Sequence, residues 1–315
     1  MTYLEYLIKN HPTRKSNDEK ENFRKYVLSE AEKLDYEAKT EKTSDNKNEN
    51  IVIGNPEKAK VVFCAHFDTP ASALFPNLML PRNKLLFFLY QFIPVTLILL
   101  CSYIPAMLIS DYFFSGESNA SANIIAFEFI FLFLYFGLFY LLYFAFKNKN
   151  NYNDNTSGSA VLLSIMAKLS SEEKGTAAFI FFDNEEKGKL GSKAYYKDHK
   201  DFMEEKLVIN FDCVGNGKNI LVLFNKKAEN TAESEIMKES FTGNDIFKTY
   251  LFPKKGSVCN SDHASFPMGV AVVACKNTKN GIFYTPNIHT AKDTEADNGN
   301  IEFISDCAKK FAENV

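Results

Sequence analysis

Hydrophobic and polar positions alternate along this chain in three registers. Short β-rich apolar runs occur at 51–54 (IVIG), 60–65 (KVVFCA), 176–182 (TAAFIFF), 207–212 (LVINFD), 219–224 (NILVLF) and 270–275 (VAVVAC). Between them lie stretches with apolar residues at helical spacing, near 18–34, 158–170, 190–205, 231–242 and 298–313. Strands alternating with helices predict an α/β fold, a mostly parallel mixed sheet with helices on both faces. The polar tract 39–50 reads as a solvated loop, and no internal repeat is present.

The third register has no alternation at all. Residues 85–109 (LLFFLYQFIPVTLILLCSYIPAMLI) hold no acid or base, and 124–146 hold only Glu128. As helices rising 1.5 Å per residue, each would be about 35 Å long, enough to cross a hydrocarbon core of about 30 Å. They predict a transmembrane hairpin, 85–146, that interrupts one discontinuous domain made of 1–84 and 147–315. Pro94 and Pro105 predict kinks in the first span. Arg82, Lys84, Lys147 and Lys149 flank the spans, whereas the link carries Asp111 and Glu117. By the positive-inside rule the domain faces the cytoplasm of a multi-pass membrane protein. Glu128 falls within about one turn of the outer end of its helix, where a carboxylate can snorkel, and reads as incidental.

Composition adds limits. The 315 residues carry 36 Lys+Arg against 39 Asp+Glu and are 46% apolar, which excludes a disordered polyelectrolyte and leaves no basic footprint for nucleic acid. A mean hydropathy of −0.20 averages over the two apolar extremes. Six cysteines without a CxxC pair read as free thiols of a reducing compartment. The first twenty residues turn charged before an apolar core can form, so no secretory signal is expected there.

Candidate chemistry clusters after strands, where α/β proteins place ligands. The segments are CAHFDTP, FFDNEEKGKLGS and NFDCVGNG, joined by Asp154 in NDNTSGSA and His289 in IHTAKDT. Singly, each has an ordinary explanation: a helix N-cap for Asp154, a turn acid beside Pro70 for Asp68, a satisfied structural group for a lone histidine. Together His66, Asp154, Glu186, Asp212 and His289 form a donor set of the kind that holds two Zn²⁺ ions. Of the five histidines, His11 and His199 lie in charged surroundings and read as surface residues. Gly158 is placed to let a helix start pack against the site, and Gly191–Ser192 to open the next helix.

These motifs, with SDHASF, occur in an order that resembles the co-catalytic zinc aminopeptidases, a family that also contains glutamate carboxypeptidase II and the glutaminyl cyclases. The resemblance spans roughly 15–84 and 150–315; the hairpin between the first two motifs departs from the family pattern. It implies a zinc-peptidase-like fold in which His66 and Asp212 hold one ion, Glu186 and His289 the other, and Asp154 bridges. It implies Glu185 as general base and places Asp262 and His263 near the substrate. Asp68, two residues after His66, would share its side of an extended strand and orient the imidazole. The implied function is a membrane-anchored dinuclear zinc aminopeptidase whose partners are peptide substrates and the bilayer, not nucleic acid. Alternatives are a one-zinc, glutaminyl-cyclase-like acyltransferase and a non-catalytic membrane scaffold. A carboxypeptidase would need a cation for the terminal carboxylate, and Arg14, Arg24 and Arg82 all precede the hairpin, away from the motifs. The hairpin itself reads first as an anchor, and second as a wall or gate over the nearby site.

Overall fold

The computed structural model describes residues 1–114 and 120–315; Glu117 of the link lies outside the described residues. Ten strands form one mixed sheet: β1 (Ala38–Lys42), β2 (Glu49–Ile53), β3 (Val61–His66), β4 (Leu78–Met79), β5 (Ala177–Phe182), β6 (Leu207–Phe211), β7 (Asn219–Phe224), β8 (Lys248–Pro253), β9 (Gly269–Asn277) and β10 (Phe283–Pro286). The order is β1-β2-β5-β3-β6-β9-β10-β4, with β7 paired to β8 and β9. The central run β5-β3-β6-β9 is wholly parallel. Every residue of β3, β5 and β6 is buried, which is why these strands read as unbroken apolar runs.

The helices are α1 (Tyr3–Asn10), α2 (Asn17–Lys33), α3 (Lys84–Phe114), α4 (Ala120–Tyr143), α5 (Gly158–Lys168), α6 (Leu190–Asp198), α7 (Lys200–Met203), α8 (Ala232–Ser240) and α9 (Asn298–Asn314). Alternate residues of β3 feed two cores. Val61, Phe63 and Ala65 pack with Phe23 of α2, Leu163 of α5 and Phe311 of α9, while Val62 and Cys64 pack with Tyr195 of α6 and Met203 of α7. Each buried Phe or Leu contributes about 1.5–3 kcal/mol of transfer free energy. Capping boxes Thr2/Glu5 and Ser16/Glu19 start α1 and α2.

The structure corrects several expectations. The tract 39–50 is not a loop but most of a β1–β2 edge hairpin closed by Thr43 N–H donating to Asn48 O at 3.0 Å. β1 stays partly solvated, so it lacks the apolar signal of an inner strand. The expected helix 190–205 breaks at His199 into α6 and α7. His11 and His199 are half-buried: His11 packs among Tyr6, Phe23 and Tyr26, and His199 Nε2 meets Glu41 Oε1 at 2.5 Å. The six cysteines are free thiols, with Cys101 exposed on α3 and the others buried.

Helices α3 and α4 are long and apolar enough to cross a membrane. Their large side chains point outward, among them Phe92, Phe129 and Phe133. The buried seam of α3 is Pro94, Ile98, Ser102, Ala106 and Ser110, mostly small residues at every fourth position, which allow close approach to a neighbouring helix. Relative to the expected spans 85–109 and 124–146, α3 runs on to Phe114 and α4 stops at Tyr143. The chain after α4 turns back to pair with the segment following β3. There Ser72 N–H donates to Phe146 O and Leu74 N–H to Leu142 O, both at 2.8 Å.

Candidate active site

Three adjacent parallel strands deliver the first donors at their carboxyl ends. His66 ends β3, Asp212 follows β6, and Glu185 and Glu186 form a single 3₁₀ turn two residues beyond β5. The turn is entered through Asn184 at φ 54°, a left-handed conformation that asparagine tolerates. Asp154 lies in the turn before α5, and His289, at φ 57°, in the loop after β10.

The five expected ligands converge. His66 Nε2 lies 3.4 Å from Asp154 Oδ1 and 3.8 Å from Asp212 Oδ1. His289 Nε2 lies 2.9 Å from Asp154 Oδ2 and 3.4 Å from Glu186 Oε2. Asp154 therefore turns one oxygen toward each imidazole, and it is not an N-cap: Asn155 Oδ1, not Asp154, accepts Gly158 N–H at 3.0 Å. Two triads, His66–Asp154–Asp212 and Asp154–Glu186–His289, each offer donor atoms within 4.8 Å of one another.

Surrounding groups hold this arrangement. Asp68 uses both oxygens to accept the backbone N–H groups of Glu185, at 2.9 Å, and Glu186, at 3.2 Å. Its own carbonyl lies 3.1 Å from His66 Nδ1, so an N–H there leaves Nε2 free to ligate. Asn155 Nδ2 donates to Phe211 O at 2.9 Å, tying the Asp154 turn to the end of β6. Gly158 is required at that contact, since a Cβ would fall 2.3 Å from Phe211 O. Gly191 likewise has no room: a Cβ would meet Asp183 O at 2.2 Å.

Electrostatics here are dominated by crowded buried acids. Burial pushes the Glu186 carboxyl up to about 8, with Asp154 adding to the effect against His289. Burial also raises Glu185 well above the carboxylate range, opposed by His66 and reinforced by Asp262, Glu186 and Asp212. Asp154 goes the other way: burial is outweighed by His289 and His66, which hold it well below its usual value. For His289, burial is outweighed by Glu186 and Asp154, raising it to about 10.

A zinc-type cation fits these residues. Glu186 Oε1 and Asp212 Oδ1 are buried without a hydrogen-bond partner, the donors are imidazole nitrogens and carboxylate oxygens, and unpaired buried carboxylates are costly without a compensating positive charge.

Other residues at the site carried no clear sequence signal. Asp293 accepts the N–H groups of Asn153 at 3.1 Å and Asp154 at 3.0 Å, fixing the backbone of Asp154 from behind. Its place four residues after His289 in HTAKDT was the available clue. Arg14, expected to lie away from the motifs, is fully buried beside them, donating to Phe67 O, to His11 O at 2.6 Å and to Thr156 Oγ1 at 3.0 Å. Lys20 of α2 pairs with Asp183 at 2.5 Å and with Asn184 at 2.8 Å, bracing the Glu185 turn.

Asp262 and His263 lie wholly buried in the turn before β9. Both oxygens of Asp262 and both ring nitrogens of His263 lack partners. Burial pushes Asp262 up to about 7 against the pull of His66. The cleft itself, about 270 Å³, is walled by Asp68, Glu186 and His289, by Lys15 and Lys187 at its rim, and by Tyr143 and Phe144 from the end of α4.

A carboxylate facing two imidazole–acid pairs beside the carboxyl ends of parallel strands lies where α/β proteins place their ligands. Residues 146–313 match the model of peptidase family M28. The chain belongs to that family.

Solved structures agree on the fold. A zinc-dependent exopeptidase from Parabacteroides distasonis is 15% identical with a TM-score of 0.58, covering 100% of this chain and 97% of its own. The Legionella pneumophila LapA aminopeptidase is 16% identical with a TM-score of 0.56, covering 99% and 67% respectively. A glutaminyl cyclase from Porphyromonas gingivalis is 13% identical with a TM-score of 0.58, covering 99% and 95%. Comparison with curated proteins finds no match.

Proposed function

We propose that this chain is a membrane-anchored dinuclear zinc aminopeptidase. The observation that carries the reading is Asp154, whose two oxygens face two different imidazoles, each with its own second acid. On this reading His66, Asp154 and Asp212 hold one ion, and Asp154, Glu186 and His289 the other. Zinc there supplies Lewis acidity toward a peptide carbonyl and favours ionisation of water.

The chain's own residues supply the rest. Glu185, outside both triads that share Asp154, takes a proton from the attacking water on its carboxylate and returns it to the leaving amine nitrogen. Asp68 keeps that carboxylate and Glu186 on opposite duties by pinning their consecutive amides. The acids of the cleft suit a substrate's free α-ammonium. Arg14 is committed to three protein acceptors and is closed to solvent, so it is not available to a substrate carboxylate.

The exposed apolar faces of α3 and α4 support anchoring in a bilayer, and the flanking Arg82, Lys84, Lys147 and Lys149 support a cytoplasmic domain. The deciding experiment is release of the first residue from peptides with free and acetylated N-termini, with and without chelator, together with zinc counted per chain. Release from both peptide forms refutes the aminopeptidase reading.

A one-zinc glutaminyl cyclase is the second reading, favoured by the fold shared with the Porphyromonas gingivalis enzyme. It predicts one zinc per chain and ammonia, without a free amino acid, from peptides that begin with glutamine.

A further inference from the structure

The cleft at Glu186 and His289 continues toward the hairpin. A second pocket of about 350 Å³ adjoins it, and the two share Ala73, Tyr143 and His289. One wall is Phe87, Gln91 and Pro94, a single face of the first turns of α3 at spacings of four and three. Tyr143 of α4 stands beside them, and Val258 and Ile288 close the opposite side. Pro94 also begins the buried seam of α3, so the pocket opens where that seam ends.

The walls are fixed before any ligand arrives. Ala73 N–H donates to His289 O at 2.7 Å, Leu74 N–H to Leu142 O at 2.8 Å, and Tyr90 Oη to Pro76 O at 2.6 Å. The strip between β3 and β4 is thereby tied to α4, to α3 and to a candidate ligand loop at once. Apart from His289 and the Tyr143 phenol, no ionisable side chain lines this pocket among the described residues. Its volume falls in the range of about 300–1,000 Å³ usual for small-molecule sites. His289 lies 2.9 Å from Asp154 and 3.4 Å from Glu186, so a group seated here is next to the donor set.

We propose that this pocket receives the side chain of the substrate's first residue, so that the foot of the hairpin is part of the substrate-binding surface. The substrate class is peptides that begin with a large aliphatic or aromatic residue. The inference rests on the peptidase reading above, but its test does not depend on turnover alone. Occupation of a preformed apolar pocket favours leucine over glycine by about ten- to a hundredfold in kcat/KM.

The chain has no tryptophan, so one introduced residue gives a background-free signal. The full-length zinc-loaded protein carrying Phe87→Trp, in lipid nanodiscs, is titrated with L-leucinol, L-phenylalaninol and ethanolamine, which keep the ammonium and side chain but have no scissile bond. The first two should change the emission saturably at concentrations where ethanolamine does not. Phe133→Trp, at a position 78% exposed on α4, should respond to none of them. In parallel, Val258→Arg should reduce the leucyl-to-glycyl preference in kcat/KM at least tenfold. Leucinol sensed by the Phe87→Trp variant without hydrolysis of any aminoacyl reporter keeps the pocket and removes the peptidase reading. Hydrolysis with a leucyl preference unchanged by Val258→Arg, or equal responses of the Phe87→Trp variant to all three amino alcohols, overturns the pocket assignment and leaves the peptidase reading standing.

Discussion

Replacing Arg14 by methionine keeps an unbranched apolar side chain of similar reach and removes a charge that the fold has enclosed completely. The guanidinium donates to Phe67 O, His11 O and Thr156 Oγ1 and lies 5.3 Å from the Phe23 ring centroid. Burial lowers its pKa to about 10, opposed by Asp68 and Asp154, so it is charged at neutral pH and balances acids at the centre. Each charged-donor hydrogen bond contributes about 1.5–3 kcal/mol, and three amount to roughly 5–9 kcal/mol before desolvation of the cation is subtracted. Losing one member of a buried charged arrangement costs about 3–5 kcal/mol. At about 2 °C per kcal/mol for a chain this size, Arg14→Met should lower the melting temperature by about 6–10 °C. Thermal unfolding of the zinc-loaded protein, followed by circular dichroism in detergent, measures it. Arg14→Lys should fall in between, because it keeps the charge but lacks the planar fork. If Arg14→Met melted within about 2 °C of the wild type, the idea that this cation holds the β3 exit to the Asp154 turn would be refuted.

Glu185→Gln should lower turnover by about 10²- to 10⁴-fold while the zinc content stays unchanged, and a near-normal rate in the metal-loaded variant would remove Glu185 from its role. Chelation should abolish activity and added zinc restore it, with atomic absorption giving two zinc per chain on the dinuclear reading and one on the cyclase reading. The metal-free protein should lose stability as pH rises from about 5 to about 9. Glu186 and Asp293, both raised by burial to about 8, and His289, raised to about 10 by Glu186 and Asp154 against its burial, all hold protons more tightly folded than unfolded. Each such contribution is complete below the unfolded pKa and is lost through the folded one, so a melting temperature that climbed over this range would contradict the assignment. Gly158→Ala should prevent normal folding, because its Cβ would sit 2.3 Å from Phe211 O and 2.5 Å from Asn155 Oδ1; soluble, wild-type-like yield would argue against the contact.

What the sequence revealed follows from how strongly each element is buried. β3, β5 and β6 are enclosed on both faces, so composition alone marked them, and the acids after them fell at strand ends as the parallel arrangement requires. Three of the five proposed ligands, His66, Glu186 and Asp212, were legible because they end or follow such a strand, whereas Asp154 precedes α5 and His289 follows the half-buried β10. β1 and β8 were missed because they are half-solvated, and the two-residue β4 was too short to leave any pattern. Arg14 and Asp293 act largely through partners distant in sequence, Phe67 O and Thr156 Oγ1 for the first and the Asn153 and Asp154 amides for the second, and side-chain pattern does not encode those partners. Asp262 and His263, expected near the substrate, lie wholly buried in the turn before β9, with their carboxylate and ring nitrogens free of hydrogen-bond partners.

The position of the insert also constrains how the molecule can be made. β3 leaves the ribosome before α3 and α4, yet its two sheet neighbours, β5 and β6, come after them. At about 5–20 residues per second, that central strand waits several seconds with both edges open. With the helices in a bilayer, one crossing would leave β5 and β6 on the far side from β3, and no sheet could close. Two crossings are the smallest number that bring the chain home, and the bridge between Ala71 and Lys147 joins the point of departure to the point of return. Parity, more than length, is what makes such an insertion compatible with a sheet threaded on both sides of it.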